Sequence, residues 1–291
     1  MNQTTGSMRE DREFIFTQQD FSRISKLIYE HVGISLSPAK HDMVYSRLAR
    51  RLREIGLLTF HDYLALLEKN DAVEWEAFTN SLTTNLTAFF REEHHFPILA
   101  AHIDRRINKQ PITLWCAASS TGEEAYSMAM TMVDLFGSYT PPVKILATDV
   151  DTSVLAKAQE GWYSMDRVDK LPEEKIKRFF QAGKGLHEGK VRVRQELRDM
   201  ITFRQVNLLD NVWPMRAPFN AIFCRNVMIY FDKPTQYKIL QKFVPLLHPD
   251  GLLFAGHSES FFHAADLFNL RGKTVYELAD KKNSLSSRAS D

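Results

Sequence analysis

The chain has few cysteines, no long apolar run and almost no net charge, and each shortage excludes a class of protein. Two cysteines in 291 residues, Cys116 and Cys224, are too few for a disulfide framework. No run of about 18 apolar residues occurs, so the sequence predicts no membrane span, and the first residues lack the apolar core of a signal peptide. The formal net charge of +1 gives no general attraction to nucleic acid or anionic membrane. We therefore expect a cytoplasmic protein that neither binds nucleic acid nor inserts into membranes.

Apolar side chains recur at helical spacing in the first part of the chain, for example at Phe21, Ile24 and Ile28. We predict a helical domain over residues 1–80, with a second helix over residues 40–52. The basic residues along one side of that second helix are Lys40, Arg47, Arg50, Arg51 and Arg53. Two interpretations stay open: a solvated face of a helical bundle, or a docking surface for an acidic partner.

A polar segment over residues 81–91 interrupts the helical pattern, and a helix is predicted to resume over residues 88–101. We assign residues 81–100 to a linker and connecting helix. From Pro111 onward, strand-like and helix-like segments alternate, which predicts βαβ units around a parallel sheet in a domain over residues 101–282. Strands are predicted at residues 112–116, 143–148, 201–206, 221–224, 252–255 and 274–278, and helices at 123–136 and 233–246. The serine-rich residues 283–291 are predicted to form a disordered tail.

The segment between the second and third predicted strands is longer than a single crossover helix requires. Within it, residues 163–200 are predicted to contain an inserted antiparallel β-subdomain, because Val191 and Val193 alternate with basic residues after glycine-rich turns. The alternating strand is either part of a loop extension without a partner or an exposed edge that accepts a peptide as an extra strand.

Small or polar residues follow several predicted strands, at the place where open α/β sheets bind ligands. Residues 117–124 (AASSTGEE) combine small side chains with the start of a helix, and both allow close approach of a ligand. Asp149 ends the second strand, where a carboxylate can accept both hydroxyls of a ribose; the alternative is a helix N-cap. Asn207 follows the third strand, within reach of an adenine ring, and Arg225 with Asn226 follow the fourth.

Other polar residues give weaker signals. Arg91 can face a cofactor carboxylate or an acidic substrate, although an isolated arginine is more often a surface residue. The pair His94 and His95 has no partner at ligand spacing along the sequence, so we predict no metal site. His257 is a candidate rim residue after the strand at 252–255. The sequence contains neither a P-loop nor a G-x-S-x-G nucleophile elbow.

Several segments resemble the chemotaxis receptor methyltransferases, the CheR family. They are residues 82–91 (LTTNLTAFFR), 120–124 (STGEE), 223–231 (FCRNVMIYF) and 251–259 (GLLFAGHSE). The resemblance covers roughly residues 15–278, with the motifs in order. It implies an α/β protein: a small N-terminal all-α domain, then a Rossmann-like S-adenosylmethionine-dependent methyltransferase domain with an inserted antiparallel β-subdomain. It also implies metal-free methylation of glutamates on the cytoplasmic domain of methyl-accepting chemotaxis receptors, with S-adenosylhomocysteine as the product.

The resemblance further implies roles for individual residues. The positions that match the family's cofactor contacts are Asn85, Thr87, Arg91, Glu124, Asp149, Asn207, Leu208, Arg225 and Asn226. Arg91 and Tyr230 match positions that orient the reacting groups, and the basic second helix matches the family's receptor-docking surface. In some members the inserted subdomain holds a peptide at the receptor's C-terminus. Ala182 stands where we expect an arginine for that contact, which weakens the expectation here.

The expected reaction requires no general base, because a glutamate carboxylate with a pKa of about 4.3 is already ionised at neutral pH. Two rival functions stay open. A nucleic-acid methyltransferase is disfavoured by the near-neutral charge. It is also disfavoured by Val227 and Met228 after Asn226, where amine-methylating members of that group typically carry prolines. A non-catalytic adaptor would bind cofactor and receptor without turnover.

Overall fold

The computed structural model describes residues 12–106, 111–216 and 218–279. Within these ranges the chain divides between Thr84 and Asn85 into two compact units. The predicted disordered tail over residues 283–291 lies outside the described residues. Among the residues described, no helix is both long enough and apolar enough to cross a membrane.

The first unit is helical, and its helices follow the apolar spacing of the sequence. They are α1 (Gln18–Val32), α2 (His41–Ile55), α3 (Phe60–Leu67) and α4 (Ala72–Leu82). α1 begins after a capping box in which Thr17 and Asp20 each accept the other's main-chain N–H. It ends at Gly33, whose φ of 73° is the left-handed conformation that terminates many helices.

The predicted second helix is α2, and it begins one residue later than the sequence indicated. Lys40 belongs to a short 3-10 turn over Pro38–Lys40 that leads into His41. The apolar face of α2 is buried through Val44, Leu48 and Leu52, each with 0% exposure. This burial is what the helical spacing predicts.

The second unit is built on a seven-stranded sheet, accompanied by a separate three-stranded sheet. Its strands are β1 (Ile112–Cys116), β2 (Val143–Asp149), β3 (Trp162–Ser164), β4 (Phe180–Ala182), β5 (Lys190–Val193), β6 (Ile201–Gln205), β7 (Phe219–Phe223), β8 (Leu247–Phe254), β9 (Phe268–Gly272) and β10 (Val275–Leu278). The large sheet has the order β6-β2-β1-β7-β8-β10-β9. The neighbours from β6 to β8 pair in parallel, whereas β10 pairs antiparallel with β8 and β9. The predicted α/β class is confirmed, and β9 is a strand that was not predicted.

Helices cover the sheet and divide the core into two layers. They are α5 (His95–Asp104), α6 (Glu123–Phe136), α7 (Thr152–Glu160), α8 (Glu173–Phe179), α9 (Gln195–Asp199) and α10 (Lys233–Phe243). Alternate residues of β1 enter opposite layers: Leu114 and Cys116 join one cluster, and Trp115 joins the other. This alternation is the period of a strand with both faces covered.

The inserted subdomain is the three-stranded antiparallel sheet, with β5 between β3 and β4. The insertion is confirmed, but one interpretation of it is wrong. The alternating valine–arginine strand is β5, which pairs on both sides, so it offers no free edge. Val191 and Val193 of β5 are buried, and the two edges belong to β3 and β4.

The helix predicted over residues 88–101 is wrong in its first half, since α5 begins only at His95. Turns occupy the preceding residues, and Phe90 and Glu92 both have a φ of 51°. The Phe90 N–H donates to the hydroxyl of Ser127 at 2.9 Å instead of to a helical carbonyl. Tertiary contacts therefore override the local helical pattern.

Candidate functional site

The loop after β1 turns sharply at the sheet's topological switch point. It passes through Ser120, with a φ of 47°, and Gly122, with a φ of 97°, before α6 begins. A Cβ at Gly122 would lie 2.8 Å from the Cβ of Ala158 and 3.0 Å from the hydroxyl of Tyr163. Glycine is therefore required there by both conformation and space. The switch point between β1, β2 and β7 is where open α/β sheets bind ligands.

Asp149 ends β2, and two main-chain donors fix its carboxylate. Oδ2 accepts the N–H of Ser120 at 2.8 Å, and Oδ1 accepts the N–H of Asp151 at 3.0 Å. Burial raises the pKa of Asp149 to about 6, although these two hydrogen bonds favour the ionised form. Asp149 is not the helix cap, because Asp151 accepts the N–H groups of Ser153 and Val154 at the start of α7. A fixed carboxylate of this kind suits a vicinal diol.

Asn85 closes the site on the side of the β1 loop. Its amide donates to Oδ2 of Asp151 at 2.8 Å, and its carbonyl accepts the hydroxyl of Ser120 at 3.1 Å. Both contacts join Asn85 to the residues that hold Asp149.

Arginine side chains hold the segment around Thr87 and Arg91 by donating hydrogen bonds to its main-chain carbonyls. The carbonyl of Thr87 accepts from Arg167 at 2.9 Å, and Arg167 also forms an ion pair with the buried Glu123. The guanidinium of Arg91 donates to the carbonyl of Leu86 at 2.9 Å. Arg91 is only partly buried, so its side chain retains access to solvent or a ligand.

Arg225 lies at the centre of a buried charge cluster. Its guanidinium donates to Glu124 at 2.6 Å and lies 3.2 Å from Glu92. It also donates to the carbonyl of Arg91 at 2.7 Å, and its side chain is 0% exposed. Burial raises the pKa of Glu124, whereas the Arg225 charge opposes that shift. The thiol of Cys116 donates to the other Glu124 oxygen at 3.3 Å.

The turn after β7 places Asn226 in the left-handed region, with a φ of 59°. The buried carboxylate of Glu259 holds this turn by accepting the N–H of Asn226 at 2.9 Å and of Met228 at 2.8 Å. It also accepts the N–H of Gly256 at 2.5 Å. A Cβ at Gly256 would lie 2.9 Å from the main-chain nitrogen of Asn226, so the two loops require a glycine where they meet.

Glu92 and Glu259 are among the residues of the site that were not predicted from the sequence. Glu92 directly follows Arg91 and carries no spacing signal of its own. Glu259 closes the matched segment over residues 251–259, so its presence in that motif was the available signal. Both are carboxylates that act on partners distant in sequence.

Asn207 and Leu208 follow β6 on the other side of β2. The carbonyl of Asn207 accepts the indole N–H of Trp213 at 3.1 Å, and its side chain accepts the N–H of Leu209 at 3.0 Å. Leu208 is 6% exposed, and its carbonyl accepts from Lys242 at 2.6 Å. These contacts fix a loop with apolar and amide groups, which suits a flat heterocycle.

Tyr230 lies in a short 3-10 turn over Met228–Tyr230. The amide of Gln236 anchors this turn by donating to the carbonyl of Met228 at 2.8 Å and to that of Phe231 at 3.0 Å. Met228 is buried, whereas Tyr230 stays partly exposed. Gln236 therefore fixes the main chain on both sides of Tyr230.

In the helical unit, two of the predicted docking residues serve the unit's own structure. Arg51 forms a bidentate ion pair with the buried Glu74, at 2.6 and 3.0 Å. Arg47 donates to the carbonyl of Ser81 at 3.3 Å and to that of Thr83 at 2.5 Å. These bonds join α2 to α4 and to the residues just after it.

The other predicted docking residues are more exposed. The side chain of Arg50 is 79% exposed and lies 3.2 Å from Glu54. The side chain of Arg53 is 55% exposed and lies 3.0 Å from Glu13. Lys40 is partly exposed on the turn before α2. The exposed charge of this surface therefore rests mainly on Arg50 and Arg53.

In the structure the histidine pair lies close to Glu92, a proximity that spacing along the sequence did not indicate. One donor atom each from Glu92, His94 and His95 lies within 4.8 Å of the others. The left-handed turn at Glu92 brings its carboxylate back towards the start of α5. Sequence spacing alone did not indicate this, because the residues before α5 were predicted to be helical.

Comparison with known families gives two matches that together span most of the chain. The CheR methyltransferase all-alpha domain matches residues 19–83, and the CheR methyltransferase SAM binding domain matches residues 85–277. A chemotaxis protein methyltransferase of Escherichia coli (strain K12) is 53% identical over 278 residues, which cover 95% of this chain and 96% of the relative. Chemotaxis protein methyltransferase 2 of Pseudomonas aeruginosa is 50% identical over 270 residues, covering 92% and 96% respectively.

A solved structure with a partial match is a glycopeptide N-methyltransferase complexed with sinefungin. It has a TM-score of 0.34 and 15% sequence identity. The match covers 68% of this chain and 62% of that one.

Proposed function

This chain belongs to the CheR methyltransferase family, and from that premise we propose that it methylates glutamate side chains of chemotaxis receptors. It is an S-adenosylmethionine-dependent methyltransferase. The proposed products are a glutamate methyl ester and S-adenosylhomocysteine, and the proposed place of action is the cytoplasm. The observation that carries the proposal is Asp149, a carboxylate fixed at the switch point of the sheet.

The residues around Asp149 fit an adenosine moiety. Each carboxylate oxygen of Asp149 accepts one main-chain N–H and retains lone pairs for a ribose hydroxyl. The loop of Asn207 and Leu208 supplies the amide and apolar groups that an adenine ring requires. Small residues at 117–122 leave space for the main chain to approach the ligand. The residues proposed to form the cofactor site remain Asn85, Thr87, Arg91, Glu124, Asp149, Asn207, Leu208, Arg225 and Asn226.

The enclosure of Arg225 supports a particular role for its side chain. Because the guanidinium is 0% exposed and bonded to Glu124 and the carbonyl of Arg91, we propose that it holds those groups in place from behind. Arg91 would then face the ligand with its own guanidinium. Glu124 lies in the first turn of α6, where its carboxylate can accept from the amino group of an amino-acid moiety.

The proposed chemistry is displacement of a methyl group from the cofactor's sulfonium by a carboxylate oxygen. The acceptor glutamate is already ionised at neutral pH, so the protein need not remove a proton. Arg91 and Tyr230 are proposed to orient the acceptor carboxylate, a task of alignment and water exclusion. Replacement of Arg91 by alanine should lower turnover without unfolding the protein, since the side chain is only partly buried.

Receptor docking is proposed to use the exposed charge of α2. Arg50 and Arg53 are available to an acidic receptor surface, whereas Arg51 is bound to Glu74. For a receptor C-terminal peptide, the edges of the inserted sheet are the proposed attachment point. Ala182 lies on the edge strand β4, and the arginine expected nearby is missing, so this contact would depend on main-chain hydrogen bonds.

The test is incorporation of labelled methyl from S-adenosylmethionine into receptor-containing membranes, followed by mild alkali. Release of the label as methanol supports a carboxyl ester. Label that resists alkali would mean amine methylation, and the proposed acceptor would be wrong. Cofactor binding without any labelling of receptor would favour the adaptor function.

The cofactor site has its own test, which uses calorimetric titration with S-adenosylhomocysteine. Asp149→Asn should weaken binding, because an amide nitrogen cannot accept a ribose hydroxyl. Wild-type affinity should also fall as the pH drops below about 6, where Asp149 becomes protonated. A matched control is Asp134→Asn, because Asp134 pairs with Lys175 and Arg178 on the outer side of α6. Equal affinity of Asp149→Asn and wild type would contradict the assignment.

A further inference from the structure

The turn before α5 places oxygen and nitrogen donors of three side chains together. Donor atoms of Glu92, His94 and His95 lie within 4.8 Å of one another. Oε2 of Glu92 and Nδ1 of His95 lie 3.8 Å apart. Ligand atoms of a tetrahedral zinc ion are separated by about 3.3 Å, given metal–ligand bonds of about 2.0–2.1 Å. The Glu92–His95 pair is therefore about 0.5 Å wider than the separation of zinc ligands.

The hydrogen bonds of His95 leave its Nδ1 as an acceptor. Its Nε2 lies 2.8 Å from the carbonyl of Lys273, and a carbonyl can only accept, so Nε2 carries the proton. The residue is 0% exposed, and Nδ1 has no hydrogen-bond partner. Metal-bound histidines commonly donate their other ring N–H to such a carbonyl, which fixes the tautomer.

Glu92 presents its second oxygen to the same side as His95. Its Oε1 accepts from His257 at 3.0 Å, whereas Oε2 forms the ion pair with the guanidinium of Arg225 at 3.2 Å. Oε2 and Nδ1 of His95 lie 3.8 Å apart. A cation placed between them would give Nδ1 of His95 a partner and would share Oε2 with Arg225.

The main opposing charge is that of Arg225, 3.2 Å from Oε2 of Glu92. This guanidinium is shared with Glu124, to which it donates at 2.6 Å. One cation between two carboxylates leaves a net negative charge if both are ionised. A metal ion would nevertheless compete with Arg225 for Glu92 and weaken the cluster that holds the turn of Arg91.

We propose that Glu92, His94 and His95 bind one divalent transition-metal ion of the zinc type, and that the bound ion inhibits the enzyme. Imidazole and carboxylate are the ligand types that such ions prefer. Inhibition follows because the ion draws Glu92 away from Arg225, the residue that supports the proposed cofactor site. Metal binding at this site does not depend on the proposed function, whereas inhibition by the bound ion rests on it.

Binding is tested by titrating Zn²⁺ alone into the full chain, purified without a histidine tag, and by the absorption spectrum of the Co²⁺-loaded protein. The expected result is one ion per chain. His94→Gln removes one ligand and should weaken binding by at least about tenfold, since the loss of even an outer-shell partner commonly costs that much. His94 is partly exposed, so this variant is expected to fold, whereas replacement of the buried His95 serves as a second variant. The matched control is His61→Gln, at an exposed histidine of the helical unit.

Absence of Zn²⁺ binding, or equal binding by wild type and His94→Gln, would overturn the site. Inhibition is measured as the affinity for S-adenosylhomocysteine with and without Zn²⁺, which does not depend on receptor turnover. Wild type should lose affinity in Zn²⁺, and His94→Gln should not. Unchanged wild-type affinity and turnover with the ion bound would overturn the inhibition.

Discussion

The arginines of α2 and Arg225 place the same side chain in two different environments. Arg50 and Arg53 lie on the surface, and their ion pairs with Glu54 and Glu13 are exposed. Exposed pairs of this kind contribute only about 0–1 kcal/mol, because water screens both charges. Arg225 is 0% exposed between Glu124 and Glu92, where removal of one partner leaves a buried charge uncompensated. Burial, rather than residue type, decides whether an arginine supports the fold or remains available to a partner.

The helix α2 contains both kinds of arginine within one turn. Arg50 is 79% exposed, whereas the adjacent Arg51 is 21% exposed and pairs with Glu74, which is 7% exposed. Two neighbouring arginines on a helix point in directions about 100° apart, given 3.6 residues per turn. One therefore faces solvent and the other faces α4.

The largest effect is expected from Arg225→Met, which keeps the volume but removes the charge. It should reduce the free energy of unfolding by about 3–5 kcal/mol, because Glu124 and Glu92 lose their shared cation. Urea denaturation measures this change. A loss below about 1 kcal/mol would mean that the buried ion pairs of Arg225 stabilise the protein no more than the exposed ion pairs of α2.

The free energy of unfolding should depend on pH through the buried histidine His95. Burial lowers the pKa of His95 to about 4 from an unfolded value of about 6.5. Protonation of His95 therefore costs more free energy in the folded state than in the unfolded chain. The contribution of neutral His95 to the free energy of unfolding is fully present above pH 6.5. It is lost as the pH falls towards 4, and the total loss is about 3 kcal/mol. His95→Gln should show a shallower dependence over this window.

The measurement is urea unfolding of wild type and His95→Gln at several pH values. Burial also lowers the pKa of His102 to about 4. His102 contributes equally to the pH dependence of both proteins, so its contribution cancels when the two curves are subtracted. His61→Gln, at an exposed site, is the control for a histidine-to-glutamine substitution as such. Parallel curves for wild type and His95→Gln would contradict the prediction.

A smaller effect is expected from Arg51→Ala. It should lower the free energy of unfolding by about 2 kcal/mol, because the buried Glu74 loses two charge-assisted hydrogen bonds. Calorimetric affinity for S-adenosylhomocysteine should stay at the wild-type value, since Arg51 lies in the other unit. A stability equal to that of wild type would show that α2 and α4 do not depend on this pair.

The smallest change in stability is expected from the double variant Arg50→Glu and Arg53→Glu. Unfolding should change by no more than about 0.5 kcal/mol, the usual range for surface substitutions. Receptor methylation should nevertheless fall, most strongly at low salt, while cofactor affinity stays unchanged. Lys144→Glu, at an exposed position of β2, is the control for a general loss of positive charge. Full methylation by the double variant would remove α2 from the docking proposal.

Much of the fold and part of the site follow from local sequence. β1 and α6 have the bounds that periodicity predicted, Ile112–Cys116 and Glu123–Phe136. Asp149 was a candidate because it directly follows an apolar strand, and that relation is readable along the chain. By contrast, Glu92 and Glu259 act across long sequence separations. The helix predicted over residues 88–101 failed because Ser127 and Arg225, both distant in sequence, bind the main chain of Phe90 and Arg91.

The sequence by itself determined the two-part organisation, the α/β class, the motifs that match a methyltransferase family and the strand-end positions of the proposed cofactor residues. These features depend on periodicity and composition, which are local properties. Tertiary structure alone decided which charged residues are enclosed and which are free for a partner. It separated Arg51 from Arg50, placed β5 inside rather than at the edge of the inserted sheet, and gathered Glu92 with the two histidines. Burial and partner distance are set by packing between segments far apart in sequence, so no local pattern encodes them.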